Sequence, residues 1–565
     1  MWFAFLGWSR DRGGPKLRWA TLRLAALLAI ALPALRALAP VDRAWILARN
    51  SLVLAAAVVA ASLPVGTLVG WLLARTDLAG RRLILVLFGL MLFVPLYLQA
   101  AAWQAGFGLQ GWCTLAGAGT VLLEGWPGVV WIHVMAAIPW VVLIAAVGFR
   151  AIDPELEELS LLDASPARVF WSTSLPAAWS ALGTAAIWVA IVVAGEMTVT
   201  DLFAKRTYAE EVYTRLAIGA QPGDPPLGLL PGGLLTAALV VAGLAVAREC
   251  IPRRRPASVG SRWVFRLGVW HVPALLLVGL VLAVSLGIPL GNLAYKAGVL
   301  VTQTDTGRLR VWSPLKCLKM VAASPWAFRH EWGWSLLVGS LAATTATIVG
   351  TVLAWQARRG RFWAGLVVGV SAIGLAVPGP VLGLAIIGLL NQPGIPPLVY
   401  LYDYTIAGPW LAWTARALPP ATLIVWQGLA TIPAELLDAA AIDGAGPVAR
   451  LVRIALPQRL PSLAVAWLVG LAVASGDLAA SILVIPPGME TLSRRVFGLI
   501  HYGIEDQVAG ICLAQVVLFG LIAAAAAWLW NTRSLRRRGQ SHFRGENGHC
   551  EKHNPLRREN WDSPL

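Results

Sequence analysis

Long apolar stretches alternate with short polar ones along this chain, and the apolar stretches have the length of membrane crossings. A spanning helix needs roughly 20 apolar residues. Up to twelve windows approach that: 19–38, 50–74, 83–106, 126–148, 178–198, 229–247, 267–290, 334–356, 363–390, 410–429, 461–484 and 508–530. The first is the weakest, because Arg23 and Arg36 bracket a short apolar run. A cleaved leader is the rival reading there, with Ala37-Leu38-Ala39 near its end. Losing that segment would put the later basic loops on the wrong side.

Two of the polar islands spell one pattern twice. The first runs from Ile152-Asp153-Pro154 through Pro166 to Leu175-Pro176, the second from Ile432-Pro433-Ala434 through Pro447 to Leu456-Pro457. Pro166 and Pro447, and likewise Pro176 and Pro457, are separated by 281 positions. The repeat extends outward. Ser51, Gly66 and Trp71 match Ser335, Gly350 and Trp355; Ala194-Gly195-Glu196 matches Ser475-Gly476-Asp477; Thr207 and Val212 match Thr491 and Val496. Six crossings per half return the chain to its starting side, so the halves form a parallel repeat. The expected organisation is a first half over 1–250 with a loop at 152–176, a basic linker at 251–266, a second half over 267–532 with a loop at 432–457, and a disordered basic tail at 533–565.

Composition agrees with a lipid-embedded, all-α polytopic fold. Of 565 residues, 58% are hydrophobic and 13% charged, with a mean hydropathy of +0.69. The net charge of +16 suggests nucleic acid until its distribution is considered. Basic residues cluster at 10–23, 75–82, 248–266, 358–361, 450–459 and 533–538. With both termini cytoplasmic and twelve spans, every cluster falls on the cytoplasmic side, as positive-inside bias requires. The 28 tryptophans are explained mostly by interface anchoring. Five scattered cysteines form no CxxC pair, and the tail residues His542, His549, Cys550 and His553 read as a polar tail more readily than a metal site. No cofactor or metal, and no nucleic-acid partner, is expected.

Each repeated island is too long for a turn and too polar to insert. It fits two short surface helices split by a turn at 163–166 or 444–447, with the prolines opening the second helix. Leu159, Leu162 and Val169 can share a face in the first, and Leu437, Ile442 and Leu451 partly in the second. Those apolar residues fit a partner's groove, the acidic ones its rim.

The pattern resembles the EAA loop of membrane subunits of bacterial ATP-binding-cassette importers. The second copy carries Asp438-Ala439-Ala440, Gly444 and Ile454-Ala455-Leu456-Pro457; the first departs, with Glu157-Glu158-Leu159 and with Asp163 where glycine is usual. The resemblance implies a type I permease with twelve helices in the inner membrane and no chemistry of its own. It also implies two cytoplasmic ATPase subunits docking at Glu157, Glu158, Asp163, Pro166, Pro176, Asp438, Ala439, Ala440, Gly444 and Pro457, and an extracytoplasmic solute-binding protein. Consistently, no GxxxxGK[ST] occurs, and no nucleophile–base set or HExxH is present. The two-half layout is similar to iron(III) permeases, which makes iron(III) the expected cargo ahead of thiamine, sulfate or polyamine. A secondary transporter with six-plus-six repeats is the alternative from another class. Glu196 and Asp477, about 20 residues beyond the loop prolines and so roughly 30 Å away along a helix, are the candidate acidic pair on the substrate path.

Overall fold

The computed structural model describes residues 43–116, 121–217, 237, 238, 241, 265–304, 307–392, 394–503 and 506–546. The window 19–38, all but three residues of 229–247, the linker up to 264 and the tail beyond 546 lie outside them.

The first half runs through α1 (Arg43–Arg75), α2 (Arg81–Met91), α3 (Leu96–Phe107), α4 (Gly125–Arg150), α5 (Pro154–Asp163), α6 (Trp179–Ala194) and α7 (Tyr208–Ala217). A long span, α8 (Gly268–Gly298), follows, then an antiparallel hairpin of β1 (Val299–Thr304) and β2 (Gly307–Trp312), and α9 (Pro314–Ala327). The second half repeats the first as α10 (Arg329–Gln356), α11 (Arg361–Ala376), α12 (Gly379–Leu390), α13 (Ala407–Ala430), α14 (Ala434–Ile442), α15 (Leu460–Gly476) and α16 (Leu492–Tyr502). The last helix is α17 (Asp506–Glu546).

Among the described residues, five helices are long and apolar enough to cross a membrane alone, and up to nine spans result if each sharply bent pair counts as one. The windows 83–106 and 363–390 are therefore not straight spans. Each breaks at a Val-Pro step, Val94-Pro95 and Val377-Pro378, with bends of 100° and 105°. Proline pushes the preceding residue out of the α region, and Val377 accordingly sits at φ −68, ψ 123. The window 461–484 also shortens, since α15 ends at Gly476. Conversely, α17 continues through 533–546, where a disordered tail was expected; its Leu and Arg residues are good helix formers.

Duplication is visible atom by atom. The Ser51 hydroxyl accepts from the Tyr208 amide at 3.0 Å, and Ser335 accepts from the Leu492 amide at 2.8 Å, across the same 157-residue separation. Gly66 of α1 abuts Val141 of α4, and its counterpart Gly350 of α10 abuts Thr422 of α13. Small residues at such crossings let helix backbones approach closely, which is how helices associate where lipid removes the hydrophobic drive. Each half has its own core, around Phe88, Ile132, Val141 and Phe149 in one and Val338, Trp413, Ala417 and Leu429 in the other. Between them lies a shared core of Leu98, Met197, Leu293, Ile511 and Phe519.

The halves interlock. By sequence α8 opens the second half, yet Val278 belongs to the first half's core, and Asn292 donates to the Ala102 carbonyl at 3.1 Å. From the other end, Gln515 of α17 donates to the Tyr97 hydroxyl at 2.9 Å. Outward-facing Leu276, Leu280, Ile348, Val352 and Leu521 stay exposed, as suits side chains whose solvent is lipid.

Candidate docking loops and translocation path

Both repeated islands fold as a short helix, a turn, and a second helix that bends into a span. In the first, α5 is followed by a helical stretch over Pro166–Ala177 that meets α6 at 66°; in the second, α14 is followed by Pro447–Gln458, meeting α15 at 81°. Each second helix contains a π-helical stretch, Phe170–Ser174 and Arg450–Ala455, ending two residues before Pro176 and Pro457. Proline lacks the N–H for the i−4 carbonyl and its ring crowds that carbonyl; a wide turn moves it aside. The same arrangement recurs in α8, where π-helical Ala283–Gly287 precedes Pro289.

The loops' interiors revise the expected register. Ile152 and Glu157 are buried in one loop, Ile432 and Leu437 in the other, so the first helices align at 280 positions and the extra residue lies in the second turn. Glu158, not Glu157, then corresponds to Asp438; both are exposed. Glu157 does not face outward. It is fully buried, ion-paired to the equally buried Arg75 of α1, and accepts from the Ser174 hydroxyl at 2.6 Å. The first turn needs no left-handed residue: α5 includes Asp163, and Ala164 is extended at φ −144. Only the second turn uses one, Gly444 at φ 84, where glycine carries no steric cost. The expected apolar face changes too, since Val169 and Leu437 point inward. Leu159, Leu162 and Ile442 of that face are exposed, joined by Leu156 and Trp171 in the first loop and by Leu436, Val448 and Val452 in the second. Pro166, Ala439 and Pro457 are exposed, and Pro176 and Ala440 are partly so.

The spans α6 and α15 rise from the loops and end at Gly195-Glu196 and Gly476-Asp477. Here the halves touch reciprocally. A Cβ added to Gly476 would lie 2.8 Å from Cγ of Pro95, and one added to Gly195 would lie 3.4 Å from Cα of Pro378. Each broken span thus rests its proline on the other half's glycine. The sequence reading missed this quartet, although Val-Pro recurs 283 positions apart and both glycines stand inside matched tripeptides.

Glu196 and Asp477 follow those glycines but are occupied. The Glu196 carboxylate accepts from the Thr198 and Val199 amides at 2.6 and 3.1 Å, and lies 3.4 Å from His133 Nε2 on α4. Asp477 accepts from the Ala480 amide at 3.1 Å and lies 3.6 Å from Arg416 Nε on α13. Each caps the turn after its span and faces a nitrogen-bearing side chain on the matching helix, the His133 imidazole in one half and the Arg416 guanidinium in the other. Both side chains are 11% exposed, so they present no bare acidic ring. Among the described residues, no group of three His, Cys, Asp or Glu could hold a metal ion.

Beyond these residues, the starts of α7 and α16 carry matched ion pairs with their signs exchanged. Arg206 lies 4.0 Å from Glu211, and at the corresponding positions Glu490 lies 3.8 Å from Arg495. Another pair joins the halves: His501 Nε2 is 3.3 Å from Asp201, whose carboxylate raises the imidazole pKa above its ordinary value.

A duplicated bundle of bent spans with paired helix–turn–helix loops is the architecture of an importer's membrane subunit. The chain belongs to the family described as binding-protein-dependent transport system inner membrane component, which it matches twice, over residues 62–254 and 346–531. It is thus a multi-pass inner-membrane permease. It is similar to the spermidine/putrescine transport system permease protein PotC of Haemophilus influenzae, 29% identical over 33% of this chain and 69% of that protein. It also resembles the putrescine permease PotI of Escherichia coli, 28% identical over 34% of this chain and 69% of that protein. The molybdate/tungstate permease WtpB of Pyrococcus abyssi is 30% identical over 25% of this chain and 52% of its own length.

Proposed function

We propose that this chain forms the whole translocation path of an ATP-driven importer, accepts its solute from an extracytoplasmic binding protein, and is driven by two cytoplasmic ATPase subunits docked at 154–177 and 434–458. The observation that carries this reading is the pair of solvent-facing loops with matched apolar residues, Leu156 with Leu436 and Leu162 with Ile442, each bent directly into a span that ends on the other half's proline. Glu158 and Asp438 are the acidic contacts at the rim of the ATPase cleft; Glu157 anchors its loop from within. Replacing Glu158 and Asp438 together by Arg should leave the protein inserted and stop substrate-stimulated ATP hydrolysis. Unchanged stimulation would refute the docking assignment.

For cargo we favour a polyamine, because PotC and PotI are named for spermidine and putrescine. Iron(III) is the second reading, supported by the fused two-half layout. Its other ground, an open carboxylate pair, is weakened by the backbone amides and the His133 and Arg416 side chains that occupy Glu196 and Asp477. Uptake of labelled spermidine, iron(III) and molybdate into cells with and without the gene decides among them; spermidine uptake unchanged on deletion would reject the polyamine reading.

A further inference from the structure

The loop-bearing end of α1 is gripped from two sides. From the first loop come Glu157, paired with Arg75, and Phe170, whose ring centroid is 4.9 Å from that of Trp71. From the start of the second half comes Phe265. Its amide donates to the Arg75 carbonyl at 3.1 Å, it forms a parallel bridge with Thr76, and its ring centroid lies 5.2 Å from that of Trp71. Two residues on, the Leu267 amide donates to Asp77 Oδ1 at 3.0 Å. Phe265 is 3% exposed and Thr76 is fully buried, so this junction excludes solvent. Immediately after it the chain enters α8, which lies along the broken span: Ser285 reaches Met91 of α2, and Asn292 reaches Ala102 of α3.

The matching end of α10 is built differently. Trp355 carries the Arg358 guanidinium 5.8 Å from its ring centroid, and Arg358 donates to the Leu429 carbonyl at the end of α13. Among the described residues no backbone segment pairs with 359–361 as Phe265 pairs with Thr76. The interior of the second loop carries Leu437 and Ala455 where the first has Glu157 and Ser174.

We propose that the first loop has a coupling arm to α8 that the second loop lacks: its displacement passes through Glu157–Arg75 and Phe170–Trp71–Phe265 into α8 as well as α1, in addition to the reciprocal glycine–proline contacts that both loops drive. This rests on the reading that ATPase subunits drive the loops. Directed hydrogen bonds and a buried ion pair suit such transmission by holding one geometry, and the packed rings pass displacement on because protein interiors are hardly compressible. Phe265 and Asp77 are positioning residues, acting on the path through α8.

The test uses the complete transporter, this chain with its ATPase and binding protein, in proteoliposomes supplied with spermidine. Asp77→Ala with Phe265→Ala cuts the arm to α8 and leaves Glu157–Arg75 in place. ATPase association and hydrolysis should persist, while solute moved per ATP falls by about tenfold. Arg358→Ala, the control at the other loop, should change that ratio by less than about twofold. A cysteine pair replacing Thr76 and Phe265 in a cysteine-free background gives a second readout: the reduced protein, lacking the Phe265 ring, should couple poorly, and the disulfide, which restores the link between α1 and the start of α8, should raise the solute moved per ATP. Unchanged coupling in the Asp77/Phe265 variant, or a ratio that oxidation of the cysteine pair leaves unchanged or lowers, would overturn the proposal. Failure of the unaltered chain to associate with any ATPase would instead overturn the functional reading on which it rests.

Discussion

The two halves agree where backbone meets backbone and disagree where side chain meets side chain. Ser51–Tyr208 recurs as Ser335–Leu492, Gly66–Val141 as Gly350–Thr422, and Gly195–Pro378 as Gly476–Pro95. By contrast Glu157 and Ser174 become Leu437 and Ala455, and Arg206–Glu211 becomes Glu490–Arg495 with the signs exchanged. A contact that fixes helix spacing has few chemical solutions, because only glycine, proline or a small hydroxyl fits it. A buried pocket or a surface ion pair has several solutions of equal geometry, so duplicated copies drift between them.

The sharpest way to break this comparison is at the reciprocal prolines. Gly476→Ala pushes a methyl into Pro95, and overpacking of that kind costs about 1–3 kcal/mol. Gly195→Ala makes an ordinary contact with Pro378. Vesicle uptake should therefore fall steeply for Gly476→Ala and much less for Gly195→Ala; equal defects would mean the two contacts are not built as described. Larger still in stability is the first loop's interior. Glu157→Leu, which copies the second half, strands Arg75 as a buried charge and should destabilise by about 3–5 kcal/mol. Arg75→Leu combined with Glu157→Leu should recover most of the membrane-inserted yield, measured by thermal unfolding in detergent. If the single variant is as stable as the double, the pair is not a buried lock.

These effects also mark how far the amino-acid sequence could be read. Periodicity and repeat spacing revealed the apolar spans and the paired loops, because lipid enforces length and duplication enforces offset. They missed the breaks at Pro95 and Pro378, since a proline inside an apolar window leaves its hydropathy unchanged. Glu157 was misread for a related reason. An acidic residue in a polar island looks solvent-facing until Arg75, 82 positions away, is seen beside it. Glu196 and Asp477 were placed correctly at span ends, but their occupation by His133 and Arg416 depends on contacts between helices that no local spacing reveals.

The surface pairs sharpen the comparison with smaller effects. Glu211→Arg sets a fourth cation beside Arg43, Arg206 and Arg215, and Arg495→Glu sets a third carboxylate beside Glu331 and Glu490. Arg495→Glu, at a half-exposed position, should cost at most about 1 kcal/mol, lessened by salt; Glu211→Arg costs more, because the Glu211 side chain is buried against three arginines. The exchange Arg206→Glu with Glu211→Arg should not return the first half to its original stability, because Arg43 and Arg215 also face Glu211; full recovery would show that the pair acts alone.

The smallest effect is expected at His501–Asp201, a contact that joins the halves. Because the folded imidazole pKa is raised, its stabilising contribution is complete below the ordinary histidine value near 6.5 and is lost as pH rises through the folded value. Thermal unfolding should weaken slightly on alkalinisation through that window, and His501→Gln should remove the dependence. A pH profile identical in the variant would assign the dependence to another group.

The π-helical turns ahead of Pro176, Pro289 and Pro457 have a hereditary consequence. A wide turn is an ordinary helix holding one surplus residue, so surplus residue and proline form a matched couple written as two different kinds of genetic change. Deleting one residue tightens the helix against the ring; replacing the proline alone leaves a bulge with nothing to accommodate. Neither step is neutral without the other, which explains how such a turn can outlast the drift of nearly every side chain around it.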